Sequence, residues 1–219
     1  MDEEQDSQET RSPRYRRSSR SLEFDRVIFF SDAVFAIAMT LLVVGIGIPE
    51  VRDSQLEQAL RDKRQEIFSF FVSFVVIGYY WLSHHRFVSH LRAIDVRFMK
   101  LNLLYLAAIA FVPFPTALAG VYDTHPVSIV LYAITLGVAS GMDATLFWHA
   151  HKAGLLDVEI KPDAFRYNIL ASLAPVAVFF ASIPLAYLST QWALLSWLSI
   201  FPLEVFIDRR FKPDDAPEL

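Results

Sequence analysis

The chain has 219 residues, 54% of them hydrophobic and 14% aromatic, with 19 Phe and a formal net charge of -4. A soluble domain is apolar over about 45–50% of its residues, and here the excess gathers in long blocks divided by short charged stretches. The chain contains no Cys, which excludes disulfides, thiolate metal sites and cysteine nucleophiles together.

Residues 1–21 are polar and charged, rich in Ser, Arg, Gln and Glu. They cannot bury a core, are expected to be a disordered tail, and do not make a signal peptide. Apolar blocks follow near Phe24–Ile48, Ile67–Leu82, Leu101–Val121, Val127–Trp148, Ile169–Leu188 and Trp192–Ile207. Crossing the hydrocarbon takes about 20 residues. Five blocks fit directly, and the second fits if its helix runs on to Val88 or starts near Arg64. Breaks fall at Ile48-Pro49, His125-Pro126, Lys161-Pro162 and Ser189–Gln191. Inside lipid every backbone amide needs a partner within the chain, and runs this long without period-two alternation are helices. The fold class is therefore all-α: a polytopic membrane protein with six transmembrane helices in residues 22–211. A charged tail at 212–219 closes the chain. No second copy of the first span is present, so this is one unit and not a duplicated one.

Basic residues set the orientation. With a cytoplasmic N-terminus and six alternating spans, 16 of the 20 Lys and Arg fall on the cytoplasmic side. The outer side keeps only Arg52, Arg61, Lys63 and Arg64, in one loop that also carries several acids. This asymmetry places both termini in the cytoplasm. Tyr122, Tyr187 and Trp192 lie at span boundaries, as interfacial anchors do.

The first span is the most informative. Asp32 lies two turns inside it, where an ionised carboxylate costs roughly 2.5–3.5 kcal/mol on insertion scales. It needs a partner from another helix, because Arg26 is about 240° away around its own helix. A buried acid that knits the bundle is the plain explanation, and a proton or ion relay is the alternative. Ile37, Leu41 and Val44 fall at i, i+4 and i+7 and form one stripe, with Thr40 beside it, about 140° from Asp32. Composition alone allows either ordinary helix packing or the lining of a pore.

Arg26-x-x-x-Phe30-Ser31-Asp32 followed by Ala-Val-Phe-Ala-Ile-Ala-Met-Thr-Leu-Leu resembles the opening of bacterial members of the endosomal and lysosomal potassium channel family. The resemblance continues in Tyr80-Trp81-Leu-Ser-His84-His85-Arg86, in Leu101-Asn102 and in Phe111-Val-Pro113-Phe-Pro115, and covers about Leu22 to Lys212. It implies a potassium-permeable cation channel of the bacterial inner membrane, a homotetramer whose central pore is lined by the first helix. The narrowing positions are then Ile37, Leu41 and Val44, with a hydroxyl at Thr40. Arg26, Phe30, Ser31 and Asp32 form a packing and hydrogen-bond network behind the pore, joined by Trp81, His84, His85 and Asn102. The chain has no Thr-Val-Gly-Tyr-Gly filter, and a ring of branched apolar side chains can gate by excluding water.

The expected partners are other copies of the chain, membrane lipids and monovalent cations. Neither nucleic acid nor a cofactor is expected beyond the permeating potassium. The six His do not space as metal ligands: His84 and His85 point about 100° apart and His149 and His151 about 200°. His84 or His85 is expected to pack or hydrogen-bond with Trp81. Two further acids lie inside spans. Asp143 is expected to pair with Arg26, Arg86 or a His, and Glu204 with Arg209 or Arg210. A proton- or cation-coupled secondary transporter is the alternative function, but the chain lacks an inverted repeat and a matched pair of broken helices. An enzyme is not expected, for want of a nucleophile triad, a phosphate loop or a metal cluster.

Overall fold

A computed structural model describes residues 14–16 and 22–213. Among these, helix α1 spans Leu22–Val44, a short α2 spans Leu56–Asp62 and α3 spans Arg64–Ser89. The third span is divided into α4 (Val96–Phe111) and α5 (Pro113–Val121). Helices α6 (Pro126–Lys152) and α7 (Pro162–Leu188) each cross in one piece, and the last span is divided into α8 (Thr190–Trp197) and α9 (Ile200–Phe211). Six segments of 21 to 27 residues are long and apolar enough to cross a bilayer. This is a multi-pass membrane protein.

Proline explains where the helices bend. Pro113 has no amide to donate, so the Ile109 carbonyl accepts from Val112 N instead, at 3.1 Å. Thr116 then bonds the Val112 carbonyl through both its amide and its hydroxyl, which restarts the helix as α5. Pro202 has the same effect below α8, where Leu198 and Ser199 make tight three-residue bonds to Leu195 and Ser196. Pro175 and Pro184 sit inside α7 without ending it.

Helix α6 is the central post. Over its most apolar stretch 56% of residues are buried, against 22% for α1 and 11% for the last span. Small residues make this possible. Gly137 faces the Phe180 ring of α7 so closely that a Cβ there would lie 2.9 Å from it, and close backbone approach of this kind drives helix association in lipid. Helix α1 leans on α3, α4 and α5 at the periphery.

One polar layer ties α3, α5 and α6 inside the bundle. Ser73 and the Tyr132 hydroxyl lie 2.5 Å apart, and the Thr116 and Ser73 hydroxyl oxygens lie 2.9 Å apart. A second layer ties the ends of α3 and α6. Two strands, β1 (Arg14–Arg16) and β2 (Ala93–Asp95), pair antiparallel there. Arg92 donates from Nε and Nη2 to the Gly154 carbonyl. Asp95 caps α4 by accepting from Phe98 N at 2.7 Å and meets His149 Nε2 at 3.0 Å. Most of the expected disordered tail lies outside the described residues. Its Arg14–Arg16 portion is extended and ordered by β2, because the loop before α4 leaves a free strand edge.

With six spans, three crossings separate Asp123, in the loop after α5, from Pro213, after α9. The absence of native Cys makes single-cysteine labelling clean. Asp123→Cys and Pro213→Cys are expected to react with an impermeant maleimide from opposite faces of sealed vesicles. Labelling of both from one face would contradict six spans.

Candidate functional site

Helix α1 has a bound face and an open face. On the bound face Ser31 is buried and donates to the Val27 carbonyl at 3.0 Å, and Asn102 of α4 donates to Ser31 Oγ at 2.9 Å. Asp32 accepts from Trp81 Nε1 of α3 at 2.9 Å. The carboxylate thus takes its donor from a different helix, as its depth in the span demands. Trp81 in turn carries the His85 ring at 5.5 Å between centroids.

His84 turns the other way. Its ring lies 5.7 Å from Phe35 of α1 and 5.1 Å from Tyr105 of α4, in the fully packed centre between the three helices. His85, and not His84, therefore packs on Trp81, since adjacent residues point about 100° apart. Neither His84 nitrogen has a hydrogen-bond partner among the described residues, nor does the Tyr105 hydroxyl. Asn102, Tyr105 and Ile109 form one buried stripe of α4 at helical spacing. That stripe is a signal from which Tyr105 could have been read.

Two residues of the motif lie apart from this network. Phe30 is half exposed, and Arg26 is exposed with no hydrogen bond or ion pair among the described residues.

The open face carries the apolar stripe. Ile37 is 57% exposed, Leu41 46% and Val44 71%, while Phe35, Ala38 and Leu42 on the other side are buried. Thr40 is exposed too, and its hydroxyl donates to the Ile37 carbonyl at 2.8 Å. The proton is thereby committed to the backbone, and the oxygen keeps its lone pairs for the outer face.

The remaining titratable groups go elsewhere. His151 stacks on Phe165 at 4.4 Å, and His90 lies 3.6 Å from Asp157. Glu204 accepts from the Tyr79 hydroxyl at 3.1 Å and not from Arg209 or Arg210, which lie beyond it in the last turn of α9. Asp143 pairs with none of its expected partners. It lies nine residues, about 13 Å, above the end of α6, whereas Arg86 is in the last turn of α3.

The sequence profile described as endosomal/lysosomal potassium channel TMEM175 matches residues 26–113, a stretch that contains Ser31, Asp32, Trp81 and Asn102. A potassium channel of Streptomyces collinus is 36% identical over 151 residues, covering 66% of this chain and 73% of that one. The chain belongs to the TMEM175 family. A potassium channel of Chamaesiphon minutus is 39% identical over 119 residues, 53% of this chain and 59% of that one. The endosomal/lysosomal proton channel TMEM175 of Bos taurus is 30% identical over 48% of this chain and 24% of its own length. Among solved structures, a lysosomal potassium-selective channel TMEM175 homolog from Chamaesiphon minutus superposes with a TM-score of 0.67 at 27% identity. That match covers 87% of this chain and 99% of the other. A second TMEM175 structure, of a potassium channel variant, shares the fold at a TM-score of 0.63 and 21% identity.

The Trp81–Asp32 and Asn102–Ser31 bonds tie α1 to α3 and α4. Trp81→Phe removes the indole donor to Asp32 while keeping most of the aromatic bulk. It is expected to cost about 1.5–3 kcal/mol, the value of a hydrogen bond to a charged group. Thermal melting in detergent should show a clear loss, while Trp192→Phe, at an exposed position, should melt like the parent. Equal melting of Trp81→Phe and the parent would show that the bond does not hold α1.

Proposed function

We propose that the chain is a potassium-permeable channel of the bacterial inner membrane, with both termini cytoplasmic. Four copies enclose a central pore lined by α1. The observation that carries this is the exposure of Ile37, Leu41 and Val44 on the outside of the single subunit. A passage lined by that stripe needs other copies to close it. The relatives named as potassium channels support the choice of ion.

In a symmetric tetramer each stripe position becomes a ring of four identical side chains. Ile37 and Val44 are separated by about 10 Å along the axis, with Leu41 between them. Three apolar rings in that length offer no ligand to a hydrated ion. They act through width and wetting, so passage depends on transient hydration of the constriction. Thr40 supplies the nearest polar atoms, a ring of hydroxyl oxygens whose protons point back to the helix. Potassium, which sheds its water more readily than sodium, is favoured by such a narrow, weakly coordinating passage. Arg26, exposed and without an ion pair among the described residues, stands near the cytoplasmic mouth, about 20° around the helix from Ile37. Ser31, Asp32, Trp81, His84, His85 and Asn102 act as the supporting wall behind the pore, while Phe30 lies on the open face beside the stripe.

Ile37→Ala is expected to widen and hydrate the constriction. Reconstituted vesicles with opposed potassium and sodium gradients should show higher conductance and a reversal potential shifted toward zero discrimination. Met39→Leu, at a partly buried position packed on the core, should leave both unchanged. A parental conductance and reversal potential in Ile37→Ala would place the pore elsewhere.

A further inference from the structure

A polar cavity of about 320 Å³ lies between α3, α6, α7 and α9, and no described residue of α1 lines it. It is therefore separate from the open face of α1. Its mouth lies where Arg86, Asp208 and Lys212 close the ends of α3 and α9, and its floor reaches Asp143 and Pro175.

Hydrogen bonds within the walls commit the tyrosine and amide donors. Tyr79 donates to Glu204 at 3.1 Å, Tyr167 donates to Asp208 at 2.7 Å, and Tyr80 donates to the Leu136 carbonyl at 3.1 Å. Asn168 uses its amide nitrogen on the Ala164 carbonyl at 2.8 Å, which leaves its side-chain oxygen as an acceptor. Ala171 and Pro175 share the same wall. Pro175 has no amide proton, so the Ala171 carbonyl one turn before it lacks its helical donor. Asp143 is partly buried on α6 and, among the described residues, makes neither a hydrogen bond nor an ion pair.

The floor therefore carries a surplus of oxygen acceptors around one unpaired carboxylate. An unpartnered carboxylate inside a membrane bundle is costly. Oxygen-only acceptor sets suit hard cations, and carbonyls freed by a helix irregularity are recurrent ligands for monovalent ions within membranes. Three carboxylates line the cavity, Asp143, Glu204 and Asp208, against Arg86 and Lys212, and the net single negative charge matches one positive charge and opposes a divalent ion. At ~30 Å³ per water the cavity has room for several waters, so the ion keeps part of its shell.

We propose that this cavity binds a small monovalent cation, held by the Asp143 carboxylate, the Ala171 carbonyl and the Asn168 side-chain oxygen. The site is separate from the pore within each subunit.

Two measurements on the full chain test it. Crystals grown in rubidium chloride should show anomalous density beside Asp143 in the wild type and none there in Asp143→Asn. In lipid nanodiscs at constant ionic strength, replacing choline with potassium should raise the wild-type melting temperature saturably. Asp143→Asn should gain less than half of that rise, and in choline alone it should melt at or above the wild type, because the uncompensated charge is gone. Should Asp143→Asn not assemble, Asn168→Leu is expected to raise the half-saturating potassium concentration by roughly threefold or more, the effect of losing one neutral contact. Absence of rubidium density in the wild-type cavity would overturn the proposal. So would an equal potassium-induced rise in Asp143→Asn and wild type, or an unchanged half-saturation in Asn168→Leu.

Discussion

A carboxylate two turns inside the first span must find a donor, and the indole of Trp81 supplies it at 2.9 Å. That bond, with the Asn102 to Ser31 bond beside it, leaves α1 one rotation about its axis. Phe35 and Ala38 then go into the core against α3 and α4, and Ile37, Leu41 and Val44 come out. A hydrogen bond to a charged group is worth about 1.5–3 kcal/mol, whereas alternative rotations of a nearly all-apolar helix in lipid differ little in apolar burial. The polar contacts decide the rotation because lipid solvates either face of such a helix about equally well.

The same logic separates centre from periphery. Helix α6 carries the small residues and the hydroxyl partners of α3, and it is the most buried of the spans. Helix α1 contributes few small residues to contacts and keeps a broad apolar face unoccupied. A central post with a peripheral first helix suits a subunit whose α1 meets other copies, and this underlies the proposed tetramer. The polar cavity is lined by α3, α6, α7 and α9 and by no described residue of α1.

Much of this was legible before any coordinates. The spans announced themselves by length and apolarity, and Asp32 by the cost of its charge in lipid. The 140° between Asp32 and Ile37 followed from helix geometry alone. Other features depend on which helices meet. Trp81 could be singled out only through the family resemblance, since nothing in the spacing of two distant spans says which indole faces which acid. Tyr105 beside His84, and Asp143 with its unpaired carboxylate, depend on depth and packing between helices. Pairing Asp143 with Arg86 failed because sequence gives charge but not height, and the two lie about two helical turns apart in depth. The Arg14–Arg16 strand was hidden because its partner is a loop edge and not a hydrophobic pattern.

The central claim is that the open stripe of α1 faces an ion pathway and not lipid. Val44→Cys tests it most directly, since the side chain is 71% exposed in the single subunit and the chain has no other thiol. A charged, water-soluble methanethiosulfonate reagent should modify this cysteine in reconstituted channels and block potassium flux, and potassium at high concentration should slow the reaction. Failure of the charged reagent to react, with modification only by a lipid-soluble maleimide and no change in flux, would place the stripe against the membrane and contradict the account.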